Sequence, residues 1–374
     1  MHSEIVKIVS EISSKFDLSY WKDCEGRFPH EYWNELAKAG LFGFLIEKNY
    51  GGLELEISEL SLAVEETSEH YAGLGSYLFL SGALVSRIFT KLGTEEQKST
   101  LLPKLAKGEL KISIALSEEE SGLDASAIRT SAISSKDSFI LNGQKTFVNN
   151  VDLADYLIVF ARTSKYDEKK ALGTTMFLVD ARAAGVRSKK LDRLGMNFVN
   201  SFAVELSNVE ASSIVGEMNR AWYNIIDIFN CDRILTSSSL IGTGKLALSL
   251  ASDWARKRTV FGKAIGSNQG IQFPLADAVA EIEAAKVLTS KAALLADKGK
   301  SFSNEASCSL LASIKASTLA TDRAMQTFGG HGYYKDYHVE RLWRDVRAHK
   351  VHPISEELLL ASIAERSLDL PRSY

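Results

Sequence analysis

Asp232-Arg233 is the pair in this chain best placed to do chemistry. Trp222, Ile225, Ile226, Ile228 and Phe229, then Leu235, Ile241, Leu246, Leu248 and Leu250, recur around it at helical spacing. Aspartate suits a helix interior poorly, because its short carboxylate competes for backbone hydrogen bonds. Its neighbours three and four positions away are Ile228, Phe229, Leu235 and Thr236, so the carboxylate lies along a mostly apolar stripe. Arg233 is next in sequence but points elsewhere around the helix. A desolvated, incompletely paired carboxylate has a raised pKa and can act as a general base. The same pattern also describes a polar residue hydrogen-bonded inside a bundle.

Other combinations offer less. His349, His352 and Glu356 have a superficial metal-ligand spacing, but Pro353 interrupts the helix that would align them, so no metal is expected. Cys24, Cys231 and Cys308 are scattered, which suits a reducing cytoplasm and no disulfide scaffold. Glu118-Glu119-Glu120 reads as a solvated edge. A net charge of -3 with mixed signs argues against a nucleic-acid surface. No apolar run approaches a membrane span, and residues 1–11 lack a signal-peptide layout, so a cytoplasmic protein is expected.

The 374 residues are enough for two or three domains. Residues 1–110 read as helices. Pro29 suits a first turn, Gly40 closes that helix, Tyr71 to Leu92 forms a long apolar one, and Thr94 with Gln97 forms a capping box. Ile57, Leu60, Ala63 and Val64 share a helix face opposite Glu59, Glu65 and Glu66. Residues 111–220 carry short alternating runs divided by turn residues, with Asn142-Gly143 as a hairpin signal, and imply a β barrel or sandwich. Residues 221–374 are helical again, with Pro274 beginning or kinking one helix. Ile282 to Ala296 is apolar on several sides, as when covered by bundle neighbours or by another subunit.

With this helix–β–helix order, Arg258-x-x-Phe261-Gly262, Gln269, Leu275-Ala276-Asp277, Ile282-Glu283-Ala284-Ala285 and Gln326-x-x-Gly329-Gly330-x-Gly332 together resemble the acyl-CoA dehydrogenase flavoproteins, over about residues 28–370. The resemblance implies an α+β fold: an N-terminal α-helical domain, a central β-barrel and a C-terminal four-helix bundle, with FAD at their junction. It implies FAD contacts from Ser117, Phe147, Asn149 and Ser355, and from Arg258, Phe261, Gln269, Gln326, Gly329 and Gly330 toward a neighbouring subunit's FAD. A guanidinium can clamp pyrophosphate, and a glycine turn lets backbone N–H groups approach it. A dimer at least, and a homotetramer built as a dimer of dimers, follow from the same likeness.

Three departures stand out. Leu123 replaces a serine that usually binds pyrophosphate, and Pro353 stands where many members carry the catalytic Glu. A branch of the family instead places its carboxylate immediately before the bundle arginine, the place of Asp232-Arg233, and there Asp replaces the usual Glu. It is shorter by one C–C bond, ~1.5 Å. The implied reaction is α,β-dehydrogenation of an acyl-CoA thioester to trans-2-enoyl-CoA, with Asp232 taking the α-proton, Arg233 ordering the substrate and electrons passing to an electron-transfer flavoprotein. A flavin oxidase or enoyl reductase, a dehydrogenase for carrier-protein-linked acyl groups, and a catalytically weak flavin-binding homologue share the same pattern. A pocket floor is expected from Tyr77 to Val85.

Overall fold

A computed structural model describes residues 2–372 except 72, 74–76, 137 and 165–171; the side chains of residues 2, 3 and 77–81 are also outside the described set, and with them part of the expected pocket floor. The first helices are α1 (His2–Ser13), α2 (Leu18–Asp23), α3 (His30–Lys38), α4 (Ile57–Glu69), α5 (Tyr77–Leu92) and α6 (Glu95–Ala106). Pro29 is the N-cap of α3, and Gly40, in the left-handed region at φ 71°, follows its end. Thr94 and Gln97 make the expected capping box of α6, which satisfies two otherwise orphaned N–H groups. Tyr71 lies outside α5, so the expected long helix is shorter at its start.

One side of α4 departs from the amphipathic expectation. Ile57, Leu60, Ala63 and Val64 are buried, but so is Glu65. Its carboxylate accepts from Lys245, and from Lys286 at 2.6 Å, so the acid is paired and not solvated. Periodicity ranks Glu as a surface residue, and two lysines from other helices reverse that.

The middle of the chain forms one mixed sheet from β1 (Ile112–Ala115), β2 (Ser131–Ser135), β3 (Ser138–Asn149), β4 (Tyr156–Arg162), β5 (Thr174–Asp180), β6 (Val186–Leu191), β7 (Ser201–Glu210) and β8 (Ser213–Val215). The hydrogen-bonded order is β6-β7-β3-β2-β4-β5-β8, with β1 parallel to β4. Asn142-Gly143 is not a hairpin turn. It lies within β3, at a register shift against β7. A Cβ on Gly143 would come within 2.6 Å of the Thr130 backbone, so the glycine serves close strand approach.

The last third contains α7 (Ala221–Lys257), the small hairpin β9 (Thr259–Val260) and β10 (Lys263–Ala264), α8 (Gln269–Asp297), α9 (Ser303–Phe328), α10 (Val339–Arg347) and α11 (Glu356–Leu368). Pro274 lies in the second turn of α8, which begins at Gln269. Contrary to expectation, α7 contains an 18-residue window apolar enough to cross a membrane, but 83% of it is buried inside the fold. Gly242 of α7 sits so close to α4 that a Cβ would overlap the Glu65 carbonyl. On α8, Ile282, Ala285, Ala292 and Ala293 are buried, while Phe273, Val279, Val287 and Leu294 are exposed.

Candidate active site

Asp232 is half-buried on α7 between the buried Cys231 and Arg233. Burial pushes its pKa up to about 6, and the adjacent Arg233 charge only partly opposes this. The Arg233 guanidinium donates to Ser307 Oγ of α9 at 3.0 Å. No described residue hydrogen-bonds the Asp232 carboxylate. A poorly solvated carboxylate titrating near 6 is tuned toward the strength of a general base at neutral pH.

On the sheet, a register shift between Lys145 and Val148 bulges β3. Within it Phe147 takes φ 58° and is 63% exposed, so the bulge turns an aromatic ring out of the strand. The Thr146 N–H donates to the Ser117 carbonyl at 2.9 Å, which sets exposed Ser117 beside Phe147. Behind them Lys145 is fully buried and donates to Glu118 Oε1 at 2.7 Å and to the Leu116 carbonyl at 2.9 Å. Glu118 also accepts from the backbone N–H groups of Arg129 and Thr130. Burial alone would raise the Glu118 pKa, but Lys145 and these N–H groups carry it below the usual value. The solvated-edge expectation therefore holds for Glu119 and Glu120 and fails for Glu118. Only a partner distant in sequence makes its burial possible.

The connection from β6 to β7 joins these two regions. Asn150 and Asn200 exchange hydrogen bonds at the end of β3, one residue beyond Asn149. Further back, the Met196 N–H donates to the buried Asp345 of α10, and Arg344 donates to the Leu194 carbonyl at 2.8 Å. Met196, Phe198 and Val199 share a core cluster with Cys231 and Leu235 of α7. The sheet strand carrying Phe147 and Asn149 thus leads through one loop into the core cluster that also holds Cys231 and Leu235, on either side of Asp232 in the chain.

A third group stands apart. A cleft of about 530 Å³ is lined by Arg258, Gly329 and Gly330 together with Trp254, Phe328 and Tyr334. Phe261 is fully exposed at φ 52°, and Gln269 and Gln326 are exposed nearby in sequence without lining the cleft. Among the described residues, no hydrogen bond or ion pair joins this group to Ser117, Phe147 or Asp232 within one chain. Ser355 is buried and caps α11, accepting from the Leu358 N–H at 3.3 Å.

Known proteins place this arrangement. The acyl-CoA dehydrogenase N-terminal, middle and C-terminal domain models match residues 3–109, 113–209 and 219–368. The chain belongs to the acyl-CoA dehydrogenase family. It is similar to acyl-CoA dehydrogenase FadE12 of Mycobacterium tuberculosis, at 33% identity over 98% of this chain and 96% of that one. It is also similar to the 3-(aryl)acrylate reductase of Clostridium sporogenes, 34% identical over 92% of each. Among solved structures, butyryl-CoA dehydrogenase from Megasphaera elsdenii superposes with a TM-score of 0.93 at 29% identity, covering 98% of both chains.

As a member of this family the chain is an FAD-dependent oxidoreductase of the acyl-CoA dehydrogenase type. The residues present fit that cofactor. Phe147 and Ser117 offer an outward aromatic face beside a hydroxyl, as a flat ring with polar edges requires. At Gly329 and Gly330 a Cβ would meet nothing within 4 Å, leaving backbone open beside Arg258 for an anion. Leu123, where a pyrophosphate-binding serine is usual, is 57% exposed and supplies no hydrogen bond of that kind. Gly329 adopts φ 60° and ψ -139°, a region closed to side chains. Gly329→Ala is expected to cost about 1–3 kcal/mol of stability and to lower FAD occupancy, readable by thermal unfolding and by the flavin-to-protein absorbance ratio.

Around Pro353 the sequence offers His349 and His352 only as weak metal-ligand candidates, and the structure shows how deeply they are buried. His349 is buried, and His352 lies 6.2 Å from it between ring centres. Burial pushes His349 down to about 3 and His352 to about 4, so both are neutral at physiological pH. Passed over in sequence were Arg341 and Asp345, buried on α10, which the spacing Arg341-x-x-Arg344-Asp345 on one helix face could have flagged.

Proposed function

We propose that the chain catalyses α,β-dehydrogenation of an acyl-CoA thioester to the trans-2-enoyl-CoA, with electrons leaving to an electron-transfer flavoprotein. The observation that carries this reading is the Asp232 carboxylate, without a hydrogen-bond partner among the described residues on an apolar stretch of α7, where burial pushes its pKa up to about 6. Bound FAD supplies the two-electron acceptor. Asp232 removes the α-proton and retains it at its carboxyl oxygen. Arg233, fixed against Ser307, keeps the turn oriented and lends positive charge to the substrate side. Phe147, Ser117 and Asn149 hold the flavin face, and Ser355 borders it at the start of α11. Arg258, Phe261, Gln269, Gln326, Gly329 and Gly330 serve the FAD of a second copy, which accounts for their exposure here.

The apolar residues left open on α8, Phe273, Val279, Val287 and Leu294, support a homotetramer packed through the bundles. A cytoplasmic location and a place in fatty acid metabolism accompany this reading. The reverse reaction, reduction of an enoyl thioester, is a second reading, favoured by the likeness to an arylacrylate reductase. A carboxyl titrating near 6 can return a proton as readily as it takes one. Anaerobic stopped-flow mixing separates the two. Rapid flavin bleaching by saturated acyl-CoAs, followed by slow reoxidation in air, supports the dehydrogenase. No bleaching by any saturated acyl-CoA, with reoxidation of chemically reduced enzyme by enoyl-CoAs, supports the reductase.

A further inference from the structure

Strand β6 and the loop after it carry Arg187, Lys189, Lys190 and Arg193 against one acid, Asp192, in a chain whose net charge is -3. The strand is an edge, paired only with β7, and residues 187–190 are all exposed. None of Arg187, Lys189 and Lys190 has an ion-pair partner among the described residues. The nearest acid across the ladder is Glu205, opposite Arg187 in register, and it accepts from the Ser207 hydroxyl at 3.1 Å. Lysines on an edge strand can serve only to block strand addition. That role does not require a binding slot beside them, yet β6 borders one.

The slot, about 360 Å³, is lined by Lys190, Arg193, Asn197, Asn200 and Lys335, with Glu25 and Asp192 as its acids. Glu25 is engaged by Arg344 at 3.0 Å and Asn197 at 3.2 Å, and Arg193 donates to the carbonyls of Met196 and Val199. Asn200 in the slot wall is bonded to Asn150, the neighbour of Asn149. A phosphate-bearing substrate arm entering here would therefore start close to the strand assigned to the flavin.

We propose that this face docks an acidic acyl-carrier protein, with β6 meeting the carrier's acidic surface and the slot taking the phosphate of its phosphopantetheine arm. The proposal rests on the acyl-thioester reading above. A phosphopantetheine thioester arrives either on CoA or on a carrier. A CoA nucleotide in the slot would reach Lys190, Arg193 and Lys335 but leave Arg187 and Lys189, which do not line it, without a partner. Arg187 and Lys189 lie on one face of β6 and Lys190 on the other, so a folded anionic partner laid over this open edge reaches all of them, and clustered charge of one sign accelerates encounter with such a partner.

The test uses the FAD-loaded full chain and its Arg187→Glu/Lys189→Glu variant. The acyl group that works best on CoA is presented on CoA and on an acidic type II acyl-carrier protein, at low and physiological salt. For the carrier substrate the variant is expected to lower kcat/KM by about tenfold or more, mainly through KM, and to flatten its salt dependence. For the CoA substrate it should stay within about twofold, with an unchanged melting temperature. Oxidation of acyl-CoA with no turnover of the acyl-carrier, equal loss on both substrates, or an unaffected carrier reaction would each overturn the docking assignment. If neither thioester is oxidised, the dehydrogenase reading itself fails and the docking assignment falls with it.

Discussion

Replacing Asp232 with asparagine is expected to lower acyl-CoA oxidation by roughly 10²–10⁴-fold while FAD stays bound. The amide keeps the side chain's size but cannot take a proton, and Pro353, at the alternative base position, offers no acid to stand in. Asp232 has a pKa raised to about 6 by burial, so its basic form predominates above that pH and is lost below it. The wild-type kcat/KM should therefore rise with pH through about 6 with the slope of one proton, and the residual activity of Asp232→Asn should lack this step. Stability runs the opposite way. The folded state holds this proton more tightly than the unfolded chain, so the aspartate's contribution is complete below its ordinary pKa near 4 and is lost as pH rises through about 6. A rate that grows while stability falls over one pH window is the signature of a buried base. Parallel kinetic and urea-unfolding series across that window would read both.

Breaking the Lys145–Glu118 pair has the largest expected effect on the fold. Lys145→Met removes the cation from a carboxylate that is almost wholly buried and leaves it with only two backbone donors. Losing one member of a buried ion pair typically costs about 3–5 kcal/mol, because the other charge stays desolvated. The two partners are next in sequence to Ser117 and Thr146, whose hydrogen bond sets Ser117 beside Phe147, so FAD occupancy should fall with stability. Adding Glu118→Gln to Lys145→Met should restore part of the loss, since the orphaned charge is then gone. Denaturant midpoints of the two single variants and the double variant measure this. Additive losses would mean the pair is not coupled as its 2.7 Å separation implies.

Local chemistry explains which features were legible in sequence. The capping box at Thr94 and Gln97, the stop at Gly40, the long apolar helix through Asp232 and the alternating strands all rest on neighbours a few residues apart, and the structure contains them. Asp232 was legible as an acid on an apolar stripe, and its raised pKa follows from that placement. Glu65 and Glu118 were misread because their cations come from residues far along the chain, Lys245 with Lys286 and Lys145. Asn142-Gly143 was misread because the glycine answers to the Thr130 backbone across the sheet. The bulge that exposes Phe147 depends on register against β7, which composition does not encode. Arg258 and the Gly329-Gly330 turn were legible as motifs, and their shared cleft emerges only from the packing of α7 against α9.

The most direct test of the central claim separates proton removal from electron transfer. The FAD-loaded enzyme, incubated in D2O with a thioester that has acidic α-protons but no oxidisable β-carbon, should exchange those protons for deuterium, as followed by NMR. The expected result is rapid exchange by the wild type, faster above pH 6 than below, and exchange near the enzyme-free background for Asp232→Asn. Exchange by Asp232→Asn at the wild-type rate would contradict the account and move the base to another group.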